Sequence, residues 1–376
     1  MINIAYIANP NSIHDCKWIN KLVEKYNVIV ISSDYNVAES YLNDNIKVFN
    51  ILPSTFPFRN IIKRKKISKQ IKYLIEENKI SIVHTMYAFP NSFWVNIIGF
   101  KKHIITTRGS DILVDYKKLF NSTTIKEKII NTYFLKQFNE TFNNAVFITS
   151  TSIKQKEIIK TFVDDENKLR VIRTGVDASL MEGCKISNEK KNNNKIVLFS
   201  PRSMKPIYNI DIIIDAFCLF NKKNNSILYI INDLPNSDYS KKILNKINEL
   251  NIEDKCVILP KLNFNKMIHH FSLSDIVISI PTTDGTPNSV LEAMFMEKPI
   301  IIGPYKLDSD IFGALFQLEK LNSNMLCDKI EEIVGLETAR LNELLEGNKQ
   351  KVSLFADIEK SVIELNELYK QVISGT

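Results

Sequence analysis

Ser279-Ile280-Pro281-Thr282-Thr283-Asp284-Gly285-Thr286-Pro287-Asn288-Ser289-Val290-Leu291-Glu292-Ala293-Met294 is the stretch on which the fold turns. The apolar run that leads into it, residues 276–280, reads as a buried strand, Gly285 marks a turn, and the residues after Pro287 carry a helical period. Thr286 is expected to cap that helix, with Pro287 at its first position. Strand, tight turn and helix in this order form the unit of a parallel sheet. The first backbone N–H groups of such a helix have no acceptor inside it, so this end attracts an anion. Glu292 lies about 7.5 Å along the helix axis and Asp284 stands ahead of it in the loop, so two carboxylates straddle the anion site.

The same unit recurs in both directions along the chain. Strands are expected at 2–8, 28–32, 80–84, 103–107, 146–149 and 169–172, and again at 196–200, 227–231, 257–259, 276–280 and 300–302. Between most of them lie stretches long enough for crossover helices, as a parallel sheet covered on both faces requires. Ile210, Ile213, Ile214 and Phe217 fall on one helical face. The polar run Lys190-Lys191-Asn192-Asn193-Asn194-Lys195 offers nothing to a core and reads as a linker. The pattern predicts two doubly wound α/β domains, 1–177 and 195–350, facing a central cleft at the carboxyl ends of their strands, where such sheets bind ligands. A last helix, 355–374, carries Val362, Leu365, Tyr369, Val372 and Ile373 on one stripe and is expected to pack back on the first domain.

Length and composition agree with this reading. A chain of 376 residues with 44% hydrophobic and 24% charged residues is sized for two domains and is neither disordered, collagen-like nor a membrane bundle. Cys16, Cys184, Cys218, Cys256 and Cys327 form no CxxC pair, which argues against a zinc ribbon or a disulfide scaffold and for a reducing cytoplasm. No apolar run reaches the roughly 18 residues of a membrane span, and the N-terminus lacks the pattern of a signal peptide, so a soluble chain is expected. The net charge of +7 is uneven. Residues 1–177 hold 26 basic against 16 acidic side chains, the remainder 23 against 26. The densest basic stretch, Arg59, Lys63, Arg64, Lys65, Lys66, Lys69 and Lys72, is interleaved with Ile61, Ile62, Ile67, Ile71 and Leu74. It reads either as a helix docking on an anionic membrane surface or as a solvated helix face. No nucleic-acid motif accompanies the charge, so nucleic acid is not an expected partner.

Asp284-Gly285-Thr286-Pro287, then Glu292-Ala293-Met294 and Lys298-Pro299-Ile300-Ile301, closely resembles the acid, seven residues, Glu signature of the GT-B glycosyltransferases of family four, the retaining group 1 enzymes. The resemblance implies two Rossmann-like domains and a nucleotide-sugar donor, a ligand with hydroxyls on both sides of a phosphate. It assigns the donor ribose to Glu292 and the transferred sugar to Asp284, where the family more often carries Glu. Backbone groups at Gly285, Thr286, Asn288 and Ser289 would complete the donor site.

Ser200-Pro201-Arg202-Ser203-Met204-Lys205 follows the opening strand of the second domain, where family members carry an Arg and a Lys on the diphosphate. Fixed cations there stabilise the charge that grows on the departing diphosphate without a metal. Arg202 and Lys205 take these roles by resemblance, Lys205 alternatively being a solvated loop lysine. The family's Lys-Gly before the next helix is Tyr208-Asn209 here. In the first domain, Thr107-Arg108-Gly109-Ser110-Asp111 resembles a turn that often reads His-Gly-x-Asp, with Arg108 in place of the histidine. Arg108 can pair with a phosphate oxygen but cannot serve as a base. Asp111 reads as a ligand for a sugar hydroxyl or as a helix cap, His84 as a cleft residue or a satisfied core histidine, and His14 in the first strand-to-helix turn as an acceptor contact. Arg173-Thr174-Gly175-Val176-Asp177 resembles the family's entry to its linker.

The sequence thus predicts a hexosyltransferase-like enzyme that moves a sugar, from UDP by expectation, to a hydroxyl on a lipid-linked or growing polysaccharide of the cell envelope. It would work in the cytoplasm or peripherally on the inner face of the plasma membrane, with no metal and no cofactor beyond the donor. Alternatives are a sugar-nucleotide epimerase or hydrolase of the same architecture, or a binding-only partner subunit. Asp308-Ser309-Asp310 matches a short metal-binding pattern, and His269-His270 is adjacent histidine, but neither is expected to hold a metal. A P-loop and GxGxxG are absent, which argues against kinases, ATPases and ordinary dehydrogenases.

Overall fold

β-Branched residues fill the central strands of two parallel sheets, as expected for strands buried on both faces. The computed structural model describes residues 1–183, 195–305, 307, 308, 311 and 315–375. It divides into two units, Met1–Thr174 with Ile358–Thr376, and Gly175–Asp357. Cys184, the polar run at 190–194, and Ser309 and Asp310 lie outside the described residues.

The first unit carries β1 (Ile2–Ile7), β2 (Tyr26–Ser32), β3 (Lys47–Asn50), β4 (Ile82–Met86), β5 (His103–Thr106), β6 (Phe147–Ser150) and β7 (Leu169–Val171). Its order is β3-β2-β1-β4-β5-β6-β7, every pairing parallel. In the second unit β8 (Ile196–Ser200), β9 (Ser226–Ile231), β10 (Cys256–Leu259), β11 (Ile276–Ser279), β12 (Ile300–Ile302) and β13 (Phe316–Gln317) run in the order β10-β9-β8-β11-β12-β13, again all parallel. The fourth strand begins later than the sequence suggests, because the Ile80 N–H closes the preceding helix on the Ile75 carbonyl at 2.9 Å. Edge strands β3 and β13 escape the sequence reading. Each has one neighbour, and neither contains a fully buried side chain.

The helix Ile210–Asn221 buries Ile210, Ile213, Ile214 and Phe217 in the core of the second unit. The helix Ile358–Ser374 belongs to the first unit, where Val362, Leu365, Leu368, Tyr369 and Val372 pack with Ile4, Tyr6, Trp18, Ile82 and Ile104. Burying five such side chains stabilises the docked helix by an upper estimate of about 1.5–3 kcal/mol each.

Polar bonds fix this helix in place. The Tyr369 hydroxyl meets the Tyr6 hydroxyl and His84 Nδ1, the latter at 2.6 Å. His84 Nε2 meets Thr106 Oγ1 at 2.7 Å, and Thr106 Oγ1 meets Thr149 Oγ1 at 2.6 Å. Tyr26 donates to Asn366 Oδ1 at 2.5 Å. His84 is therefore the satisfied core histidine of the two readings, fully buried with both ring nitrogens engaged.

Burial, reinforced by nearby His103 and Arg108, holds His84 well below the usual imidazole range, and burial alone pushes His103 down to about 3. Both are neutral in the folded state, whereas the unfolded chain protonates them near 6.5. Stability is thus fully present above about pH 6.5 and falls as pH drops towards their folded values, by about 1.4 kcal/mol per pH unit for each histidine. Between pH 6.5 and 4, His103→Gln is expected to flatten the slope of unfolding free energy against pH by up to one proton, measured by urea titration. Tyr369→Phe strands the partner atoms on Tyr6 and His84, and is expected to cost about 1–3 kcal/mol with an unchanged urea m-value.

Candidate functional site

Ligands settle at the carboxyl edge of a doubly wound sheet, at the point where the chain reverses its direction of strand addition. In the second unit that point lies between β8 and β11, and the loops leaving these two strands meet there. Arg202, from the first loop, donates through Nη2 to Asp284 Oδ2 of the second at 2.9 Å and through Nη1 to Ser289 Oγ at 3.2 Å. Its guanidinium carbon stands 4.2 Å from the centre of the Tyr208 ring. Burial opposes its charge, but Asp284, Tyr208 and Tyr305 outweigh burial and hold its pKa above the ordinary value. The result is a permanent cation fixed on three sides.

The loops are shaped locally. Asn209 adopts φ 53°, a left-handed conformation that asparagine tolerates better than most residues, and so occupies the place of the family's glycine. Its Nδ2 donates to the Ile280 carbonyl at 2.8 Å and to Thr282 Oγ1 at 3.2 Å, tying the two loops together. Tyr208 stands where the family has lysine and supplies an aromatic face instead of a charge. Ser203 donates to Asp233 Oδ1 at 2.5 Å, joining the loop after β9.

The helix after β11 differs from its expected start. It spans Asn288–Phe295 with Pro287 at the capping position and no side-chain cap, so Thr286 does not cap it. The Val290 and Leu291 N–H groups both donate to the Pro287 carbonyl, which already serves as the first acceptor of the helix. Proline, lacking its own N–H, loses nothing in that place. The Gly285 N–H donates to Asp284 Oδ1 at 2.8 Å, and Glu292 sits half-buried within the helix. The structure therefore brings Arg202, Asp284, Gly285 and Ser289 into one bonded group. Thr286, Asn288 and Glu292 lie on the same loop and helix, and Lys205 is exposed at the start of the turn Pro206–Tyr208.

Tyr305 and Tyr208 are residues that sequence reasoning missed. Tyr305 follows β12, is 5% exposed, and its hydroxyl has no partner among the described residues. Burial and the nearby Asp284 raise its pKa, so it stays protonated.

In the first unit the turn after β5 departs from expectation. The Arg108 guanidinium is taken up by Asp15 Oδ1, 3.0 Å from Nε and 2.6 Å from Nη2, by the His14 carbonyl, and by Thr174 Oγ1 at 3.2 Å. Arg108 thus braces the turn after β5 against the helix that carries Asp15. Asp111 is fully buried, and its carboxylate accepts from the N–H groups of Ala88, Arg108, Gly109 and Ile112. It organises the turn, which answers the choice between cap and sugar ligand. His14 is exposed in the first turn of the helix Ile13–Leu22, just past the strand-to-helix turn where the sequence placed it.

The basic stretch forms the helix Ile61–Glu77, with Ile67, Ile71, Leu74 and Ile75 buried. Ile61 and Ile62 leave that stripe, Ile62 being 83% exposed amid Lys63, Lys65 and Lys66. Arg64 Nη1 donates to the Tyr133 hydroxyl at 2.9 Å, which joins this helix to Ile125–Asn144. There Ile125 and Ile129 are 82% and 65% exposed beside Lys126 and Lys128.

Residues 3–148 match the glycosyl transferase 4-like family model, and residues 185–350 match that of the glycosyl transferases group 1. An uncharacterized glycosyltransferase of Methanocaldococcus jannaschii is 26% identical over 352 residues, spanning 90% of this chain and 88% of that protein. Among solved structures, sucrose-phosphate synthase of Thermosynechococcus elongatus superposes with a TM-score of 0.79 at 13% identity, covering 100% of both chains. The Anabaena protein HepE, solved with UDP and also with UDP-glucose, gives 0.74 at 14% identity over 98% of this chain and 99% of that one in the UDP complex. These likenesses show the fold, and the two family models together span most of the sequence. The chain belongs to the group 1 glycosyltransferases and has their GT-B fold of two parallel-sheet α/β units.

Proposed function

We propose that this glycosyltransferase takes its sugar from a UDP-sugar, retains the anomeric configuration, needs no metal, and acts on a hydroxyl of a lipid-linked or growing polysaccharide. The observation that carries this reading is the Arg202–Asp284 pair at the switch point of the second sheet, within the segment matched by the group 1 model. HepE, a protein of the same fold, binds UDP and UDP-glucose, which favours uridine as the base.

In the proposed mechanism Glu292 holds the ribose, Asp284 the transferred sugar, and backbone groups at Gly285, Thr286, Asn288 and Ser289 line the donor. The bond from C1 of the sugar to the diphosphate breaks while the acceptor oxygen bonds C1 from the same face. The acceptor's proton passes to an oxygen of the departing diphosphate. Arg202 and Lys205 stabilise the charge that grows there, the part a metal plays in other sugar transferases. His14 of the first unit is proposed to meet the acceptor.

We also propose that the enzyme works in the cytoplasm and docks on the inner face of the plasma membrane through the paired helices at Ile61–Glu77 and Ile125–Asn144. Exposed isoleucines among lysines suit insertion at an anionic headgroup layer, each nearby lysine contributing about 1 kcal/mol. No helix among the described residues is long and apolar enough to cross a membrane.

A thermal-shift screen against UDP, GDP, ADP, CMP and their sugar conjugates, with and without EDTA, tests the donor reading. UDP at 100 times its dissociation constant is expected to add about 2.7 kcal/mol of stability whether or not EDTA is present, and Arg202→Ala to lose most of that gain. Stabilisation only with metal, or by no nucleotide, would sink it, and an inverted product anomer by NMR would overturn retention. For the membrane, Lys63, Lys65 and Lys66 replaced together by Gln are expected to abolish flotation with anionic vesicles at low salt, Arg64 being left in place because it bonds Tyr133. Unchanged flotation would return the helix to a solvated face.

A further inference from the structure

We propose that Tyr305 is a donor-site residue whose hydroxyl gives a hydrogen bond to a diphosphate oxygen of the nucleotide sugar; this rests on the nucleotide-sugar reading above. Tyr305 packs in the apolar cluster that holds Val277, Val290, Leu291 and Ile302, where a phenyl ring would serve the packing equally well. Its hydroxyl is nevertheless buried there with no partner among the described residues. Native proteins leave few such groups unsatisfied, and each one calls for an explanation, a functional role being one of them.

The backbone aims the ring. The Tyr305 N–H donates to the Gly303 carbonyl at 2.9 Å, and Gln317 Nε2 clamps the Tyr305 carbonyl at 2.9 Å. A Cβ on Gly303 would stand 2.8 Å from the Pro281 carbonyl and 3.2 Å from the Tyr305 ring, so the chain after β12 is pressed against the loop that carries Asp284. Tyr305 feels the charges of both Asp284 and Arg202. Arg202 can only donate hydrogen bonds, and the tyrosine, kept protonated, donates as well. Arg202 bonds the loop that carries Asp284 and Tyr305 is packed behind that same loop, so a ligand atom that takes both donors is rich in lone pairs and poor in hydrogens, which describes a phosphate oxygen better than a sugar hydroxyl.

Tyr305→Phe removes the hydroxyl alone. The ligand-free variant is expected to melt at or above the wild-type temperature, because an unpaired buried group is gone, while calorimetry finds UDP and UDP-glucose each bound about tenfold more weakly. A lower melting temperature without ligand would make the hydroxyl structural and overturn the proposal. So would unchanged UDP affinity, including the case where only UDP-glucose weakens, which would move the contact to the sugar. If wild-type protein binds no nucleoside diphosphate, the donor reading fails and this assignment fails with it, whereas normal UDP binding by both proteins defeats the assignment alone.

Discussion

A strand that lies parallel to its predecessor can be reached only by carrying the chain back outside the sheet, and that constraint shapes both halves of this enzyme. Most return paths add a helix to one face, so the central strands are covered on both sides and are largely apolar. Every strand also ends at the same edge, so the loops that leave β8, β9, β11 and β12 collect at the carboxyl edge of the second sheet without any further design. Arg202 and Asp284 are 82 positions apart in sequence and still share an ion pair, because the sheet places their strands side by side.

The charge at that edge is built differently from the expectation raised by the family's motif. In place of the family's lysine the loop offers the face of Tyr208, and in place of glycine an asparagine that tolerates the left-handed turn and cross-links two loops. An aromatic face attracts a guanidinium through its quadrupole without neutralising it, so the cation keeps its full charge for a ligand. Asp284 does neutralise, and the pair is only partly exposed. The Arg202 guanidinium is therefore held in one orientation by Asp284, Ser289 and Tyr208.

Much of this was legible in the sequence because it depends on local pattern. The helical period of Ile210, Ile213, Ile214 and Phe217 appears as expected, the strand ahead of Asp284 ends one residue earlier at Ser279, and the last helix begins at Ile358 instead of 355 with Val362, Leu365, Tyr369 and Val372 buried and Ile373 partly so. What was illegible depends on distant partners. The turn at Arg108 gave no sign of its pairing with Asp15, 93 positions earlier. His84 needed Tyr369, and the Tyr305 hydroxyl draws attention because it has no hydrogen-bond partner among the described residues. The edge strands β3 and β13 were missed for a simpler reason. With one neighbour each, they need no apolar signature.

The docking of the helix Ile358–Ser374 has a consequence for how the protein is made. Tyr6 and Tyr369 share a bond across 363 positions, so the first sheet emerges from the ribosome long before the element that seals one of its faces. Until the whole second unit has been synthesised, Ile4, Tyr6, Trp18 and Ile82 lack their cover, and a nascent half-protein carries an apolar surface of the kind chaperones recognise. Completion of the first unit is thus timed by translation of the second, so that the first unit matures last although most of it is made first.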